Sequence, residues 1–121
     1  MKRSKYILII ILLLISGFIY AQDVRGMLIY PNQNSGEMGN YIPHPYLEVY
    51  LVQNRVTSGY NFADCEFKYI TGSDGMYYFY NVEPGSYYLI VRYPTGSILQ
   101  FTINIKNVRN GFFDIAAIAI P

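Results

Sequence analysis

The sequence predicts an all-β fold, a seven-stranded antiparallel β-sandwich preceded by a signal peptide. Three observations support this prediction. After the first 21 residues no segment keeps a helical period, and short runs rich in β-branched and aromatic residues recur instead. Gly, Pro, Asn and Asp stand between these runs, which is the composition of turns. Seven such runs within about 100 residues are typical of a β-sandwich.

The first 21 residues have the layout of a secretory signal peptide. Three basic residues open the chain, and an almost pure Ile/Leu run follows from residue 6 to residue 15. Small residues then lead to Ala21, which suits cleavage before Gln22. The alternative is an uncleaved membrane anchor, but the apolar run is shorter than the ~20 residues that span a bilayer. We expect residues 22–121 to be exported as one domain to the periplasm, the cell surface or the extracellular space.

The seven strands are predicted at residues 23–30, 47–53, 66–71, 76–82, 86–93, 97–106 and 111–120. Two longer connections, 31–45 and 54–65, are expected to be exposed loops. The later connections are short and contain glycine, as tight turns do. In two of them Asp74 and Asn110 are expected to accept a hydrogen bond from the backbone two residues on.

Alternation assigns the side chains of each strand to two faces. The aliphatic side chains of the second strand, Leu47, Val49 and Leu51, share one face. In the fourth and fifth strands, the side chains expected to point inward are Tyr77, Phe79, Val82, Tyr87, Leu89 and Val91. The side chains expected to point outward are Met76, Tyr78, Tyr80, Tyr88, Ile90 and Arg92. Only one residue in the outward set is charged, which is unusual for a solvated sheet.

Part of this outward set predicts an interaction surface. We expect Tyr78, Tyr80, Tyr88 and Ile90 to form one apolar patch, because the short turn at 83–85 would pair the fourth and fifth strands. Tyrosine is enriched at protein interfaces, so an envelope protein is one expected partner. A glycan stacked on the rings is the alternative. A third interpretation is that the tyrosines only stabilise cross-strand pairs.

The order of several residues resembles a known family. A Val24-Arg25-Gly26 opening strand and the Leu47-x-Val49-x-Leu51 strand precede Thr71, Asp74-Gly75, Tyr77-x-Phe79, Val82, Pro84-Gly85 and Tyr87-x-Leu89-x-Val91. This pattern resembles the carboxypeptidase regulatory-like domain, a transthyretin-like β-sandwich of bacterial envelope proteins. The resemblance implies a seven-stranded accessory module without a peptidase site. The chain departs from the family pattern before the second strand, at Pro43-His44-Pro45-Tyr46, and at Gly72.

Charge and reactive groups argue against other function classes. Without the three basic residues of the leader, the chain carries six basic and eight acidic residues, a net charge of −2, so nucleic acid is not expected as a partner. The single cysteine, Cys65, is either a structural thiol or a site of pairing between molecules, since Asp64 and Glu66 beside it disfavour a thiolate. His44, the only histidine, is expected to be an exposed loop residue. We therefore expect no enzymatic activity, no metal and no cofactor.

Overall fold

The computed structural model describes residues 21–31, 41–57, 59–108 and 111–121. The predicted signal peptide lies outside these residues except for Ala21, and so does Asn110. Within them, the regular structure consists of strands and one 3-10 turn, Phe62–Asp64. The all-β prediction is therefore confirmed. No helix in this part of the chain is long and apolar enough to cross a membrane.

Eight strands follow one another: β1 (Gln22–Ile29), β2 (Glu48–Val52), β3 (Phe67–Ile70), β4 (Met76–Val82), β5 (Gly85–Arg92), β6 (Ile98–Ile105), β7 (Phe113–Asp114) and β8 (Ile118–Ala119). The first six lie where the sequence predicts them. The prediction of a single seventh strand over 111–120 is wrong, because Ala116 and Ala117 interrupt it. Alanine has a low preference for strands, and the chain resumes pairing only at Ile118.

The strands form two sheets. Sheet I has the order β4-β1-β7, with β8 also paired to β1, and sheet II has the order β3-β2-β5-β6. Pairing is antiparallel throughout sheet II and between β1 and β4. However, β7 and β8 pair with β1 in parallel. The prediction of a purely antiparallel sandwich is therefore wrong at this edge of sheet I.

The connection at 83–85 crosses from one sheet to the other, since β4 belongs to sheet I and β5 to sheet II. The prediction that this turn pairs the two strands is wrong. Asn81 lies at a β-bulge opposite Asp23 and adopts a φ of 58°, and the Asp23 carboxylate accepts the Asn81 N–H at 3.3 Å. A bulge bends a strand away from its ladder. Gly85, with a φ of 155°, then starts β5 in the other sheet.

The two sheets pack face to face around one apolar core. The six side chains expected to point inward from β4 and β5 are all buried there, together with Val24 and Leu28 of β1 and Val49 and Leu51 of β2. Tyr77 stands opposite Gly26 on β1, and its ring occupies the space that a side chain at Gly26 would need. This contact explains the glycine inside a strand, because only glycine lets the ring approach the backbone so closely.

The two lateral sides of the sandwich differ. Between β3 and β4 the side is closed by aromatic pairs, with Phe67 and Phe79 ring centroids 6.3 Å apart and Tyr69 and Tyr78 centroids 5.5 Å apart. Between β6 and residues 113–118, a cleft of about 380 Å³ separates the edges of the two sheets. The core is therefore sealed on one side and accessible on the other.

Candidate interaction surface

The four residues of the predicted patch do not lie together. Tyr78 and Tyr80 are on β4 in sheet I, whereas Tyr88 and Ile90 are on β5 in sheet II. Their outward faces are on opposite sides of the sandwich. The expected single patch is therefore wrong, and the reason is the sheet crossing at 83–85.

Ile90 is fully buried rather than exposed. The segment 53–66, of which all residues but 58 are described, lies over the outer face of sheet II through Val56, Phe62 and Cys65. Its Val56 forms a small second core with Ile90 and Tyr50. Phe62 from the same segment packs on Tyr50, with ring centroids 4.6 Å apart. The side-chain amide of Gln100 on β6 holds this cover in place, because it accepts the Val56 N–H at 3.0 Å and donates to the Val56 carbonyl at 2.9 Å. Tyr88 is half-buried beside this second core.

Cys65, the only cysteine of the chain, also belongs to the segment 53–66. Cys65 is half-buried, and its Sγ lies 3.5 Å from the Tyr60 hydroxyl. This hydrogen bond raises the pKa of Tyr60. No group of three or more His, Cys, Asp or Glu side chains suited to a metal occurs in the described part of the chain. The sequence neighbours of Cys65 are the carboxylates Asp64 and Glu66, and negative charge disfavours a thiolate.

The outer face of sheet I is more charged than the sequence suggests. Arg25 on β1 is the register partner of Tyr78 and forms an ion pair with Asp114 on β7. Its hydrogen bond with Asp114 raises the pKa of Arg25 and lowers the pKa of Asp114. The Arg25 guanidinium also lies 4.9 Å from the ring centre of Phe112, which packs edge-on against Tyr78. Of the two tyrosines on this face, only Tyr80 is strongly exposed.

Among the described residues, the large apolar side chains with the highest exposure lie at one end of the sandwich, where β1 connects to β2 and β3 connects to β4. Tyr41, Ile42, Tyr46 and Ile70 are each 60–69% exposed. We call these four residues the aromatic end. Three of them come from six consecutive loop residues, and Ile70 is the last residue of β3, next to the point where that loop meets Thr71.

Backbone hydrogen bonds tie residues 42–46 to the residues that directly follow β1 and β3. The Tyr30 N–H donates to the Ile42 carbonyl, and the Tyr46 N–H donates to the Thr71 carbonyl, both at 2.9 Å. The buried Thr71 hydroxyl accepts the Leu47 N–H at 2.9 Å and donates to a loop carbonyl at 3.0 Å. Tyr46 has a φ of 58°, an unfavourable conformation for an aromatic residue. Such strain persists only where the surroundings fix the backbone, so these hydrogen bonds hold residues 42–46 in place.

His44 supports this loop from inside, and the expectation that it is solvent-exposed is wrong. Its backbone N–H donates to the Leu28 carbonyl at 2.9 Å, so the loop follows the end of β1 and turns the imidazole inward. The ring is buried and stacks on Tyr30 with centroids 3.9 Å apart. Its Nε2 lies 3.1 Å from the Pro121 carbonyl, which also accepts the Tyr93 hydroxyl at 2.9 Å. Since a carbonyl only accepts, Nε2 carries the proton.

The sequence offered one signal for the aromatic end that alternation could not use. The string from Asn40 to Tyr46 contains two tyrosines and an isoleucine inside a proline-bearing loop. Apolar side chains in a loop have no strand period, so no face can be assigned to them. The exposure of these three side chains is therefore visible only in the folded structure.

Comparison with known proteins adds no identification, since no family model and no curated protein matches this chain. The resemblance to the carboxypeptidase regulatory-like domain therefore stays a prediction.

Proposed function

We propose that the protein is an exported, non-catalytic β-sandwich module of the cell envelope that binds another protein through the aromatic end. The observation that carries this proposal is the exposure of Tyr41, Ile42 and Tyr46 on residues 41–46, whose backbone is hydrogen-bonded to β1 and to the residues that directly follow β1 and β3. Because residues 42–46 are already hydrogen-bonded to the sandwich, ordering them on binding costs little conformational entropy. Tyrosine adds a large apolar ring with few rotatable bonds and a hydroxyl for hydrogen bonding.

The mixture of side chains favours a protein partner over a glycan. Ile42 and Ile70 are 61% and 60% exposed and offer no hydrogen-bonding group. A sugar site requires placed polar groups beside its aromatic rings, whereas an exposed apolar cluster is typical of protein contacts. We base the assignment to a transthyretin-like sandwich on the residue pattern that resembles the carboxypeptidase regulatory-like domain. Three residues of that pattern, Tyr77, Phe79 and Tyr87, lie in the core.

Photo-crosslinking in the native envelope tests the surface directly. A photoreactive phenylalanine analogue at Tyr46 should crosslink to a defined protein, while the same analogue at Tyr80 should not. Tyr80 is a matched control because it is 53% exposed but lies on the outer face of sheet I. Equal crosslinking from both positions would indicate general adhesion and overturn the proposal.

A pair of substitutions then tests affinity for the captured protein. The double variant Tyr41→Ser, Tyr46→Asn should abolish binding while unfolding within roughly 0.5 kcal/mol of wild type, because surface changes usually cost little. Asparagine is chosen at position 46 because it tolerates a positive φ. The control Tyr80→Ser should bind normally. Retention of purified polysaccharide by wild type and not by the double variant would instead establish the glycan alternative.

Export is tested by the mass of the secreted species. We expect cleavage after Ala21, so that the exported chain begins at Gln22. A membrane-bound species that retains residues 1–21 would show that the leader is an anchor.

A further inference from the structure

β6 forms one edge of sheet II, and no strand pairs with its outer side among the described residues. The Tyr93 N–H donates to the Ser97 carbonyl at 2.9 Å where the β5–β6 hairpin begins. In an antiparallel ladder, hydrogen-bonded pairs alternate with unbonded pairs. The odd-numbered residues of β6 therefore bond to β5. The backbone N–H and C=O groups that point away from the sheet belong to Ile98, Gln100, Thr102 and Asn104.

This edge lacks the features that normally prevent strand addition. Edge strands of monomeric proteins are usually short, or carry a charge, a proline or a bulge. β6 is eight residues long, its sequence ILQFTINI contains neither a charge nor a proline, and its register with β5 is continuous. The opposite edge strand of sheet II, β3, is shorter and carries Lys68. The two edges are therefore not equivalent.

The cleft beside β6 leaves apolar side chains incompletely covered. Phe101 and Ile103 on the inner face of β6 are only half-buried, and Phe113 and Ile118 face them across the opening of about 380 Å³. A strand added to β6 would continue sheet II and place every second side chain over this opening. The edge therefore suits an uncharged strand with apolar residues on one face.

We propose that this strand is β6 of a second copy of the chain, paired antiparallel so that the two copies of sheet II form one continuous sheet. β6 meets the requirement itself, since its inner face carries Leu99, Phe101 and Ile103. Its outer face carries Ile98 and three uncharged polar residues. Because β6 has no charge, pairing it with itself brings no like charges together. The two lateral clefts then face each other and close.

The outward backbone groups restrict the register. Only even-numbered residues can exchange hydrogen bonds across the new pair, and a register centred on Thr102 satisfies this condition. It places Gln100 opposite Asn104 of the second copy, so that two amide side chains meet on the outer face. Thr102, which is exposed in one copy, then lies on the twofold axis. This interface is separate from the aromatic end.

Sedimentation velocity of the exported chain over a range of concentrations tests the association. Wild type should shift from monomer to dimer as concentration rises, whereas Thr102→Lys should stay monomeric because two ammonium groups would meet at the axis. Thr57→Lys is the matched control, since Thr57 is also exposed but lies on the segment 53–66. A wild type that remains monomeric at every concentration would overturn the proposal. So would a dimer that persists in a folded Thr102→Lys variant.

Disulfide trapping tests the register without relying on a destabilised variant. Hydrogen-bonded antiparallel partners have Cα atoms about 5.5 Å apart, within the range of roughly 4.4–6.8 Å that a disulfide spans. In a Cys65→Ser background, Thr102→Cys should therefore form a covalent dimer on mild oxidation, and Thr57→Cys should not. Absence of the Thr102→Cys dimer, or equal trapping at both positions, would contradict the proposed pairing.

Discussion

Replacing Tyr77 with phenylalanine should stabilise the protein at neutral pH. The Tyr77 side chain is completely buried, and its hydroxyl has no hydrogen-bond partner among the described residues. A buried hydroxyl without a partner costs about 1–3 kcal/mol relative to water. Removing one oxygen leaves a small cavity, which destabilises the fold by roughly 0.3 kcal/mol at about 24 cal/mol per Å³ of cavity volume. The expected net effect of Tyr77→Phe is therefore an increase of about 1 kcal/mol or more in the free energy of unfolding.

The same substitution should reduce the sensitivity of the fold to alkali. Burial raises the pKa of Tyr77 above the value of 10.0 that it has in the unfolded chain. Below pH 10 both states hold the proton, and this group does not make stability depend on pH. Above pH 10 the unfolded chain releases the proton first, so the free energy of unfolding falls by up to about 1.4 kcal/mol per pH unit for this group. Tyr77→Phe removes this contribution to the slope.

Urea unfolding of wild type and Tyr77→Phe at pH 7 and at several values above pH 10 measures both effects. Tyr87→Phe is a useful comparison, because burial also raises the pKa of Tyr87 but its hydroxyl donates to the Glu83 carbonyl at 2.6 Å. That variant should lose stability at pH 7. A loss of more than about 1 kcal/mol in Tyr77→Phe would show that the hydroxyl has a partner, and the reasoning would then be wrong.

Substitutions at three further positions test the packing and the two loops. Phe79→Ala should lower the free energy of unfolding by about 3–5 kcal/mol, as for other buried aromatics, and a loss below roughly 1 kcal/mol in urea would contradict its inward orientation. Thr71→Val should cost about 2–4 kcal/mol, because it leaves the Leu47 N–H and the His44 carbonyl without their partner, whereas Thr71→Ser should cost only about 1 kcal/mol. Gln100→Leu should release the segment 53–66 from sheet II. Amide hydrogen exchange should become faster in that segment while β1 and β4 stay protected. Unchanged exchange would show that the Gln100 amide does not hold the segment in place.

Local patterns in the sequence were sufficient to predict the first six strands and the side chains of β4 and β5 that enter the core between the sheets. Alternation identified the inward side chains of β4 and β5, and the turn at Asp74 forms as expected, with its carboxylate accepting the Met76 N–H at 3.0 Å. These features depend on residues close together in the chain. Periodicity and turn chemistry report such features directly.

The pairing of strands was not predictable in the same way. A short segment containing Pro84 and Gly85 has the same composition whether it closes a hairpin or crosses between sheets. Whether the segment closes a hairpin or crosses between sheets depends on contacts that are distant in sequence. These are the pairing of β4 with β1 and the bulge at Asn81, opposite Asp23. Likewise, nothing near Ile90 indicates that Val56 will cover it, because the apolar residues of the segment 53–66 follow no period. The predicted patch was wrong for these two non-local reasons.

The geometry of the sandwich connects the two proposed interfaces. The aromatic end lies where β1 and β3 end, which is also where β6 begins, since neighbouring strands of sheet II alternate in direction. Antiparallel pairing of β6 with its copy reverses the direction of the second sandwich. The two aromatic ends would then point away from each other at opposite ends of the dimer. Such an arrangement suits a dimer that bridges two partner molecules, because two sites on one compact partner could not reach both ends at once.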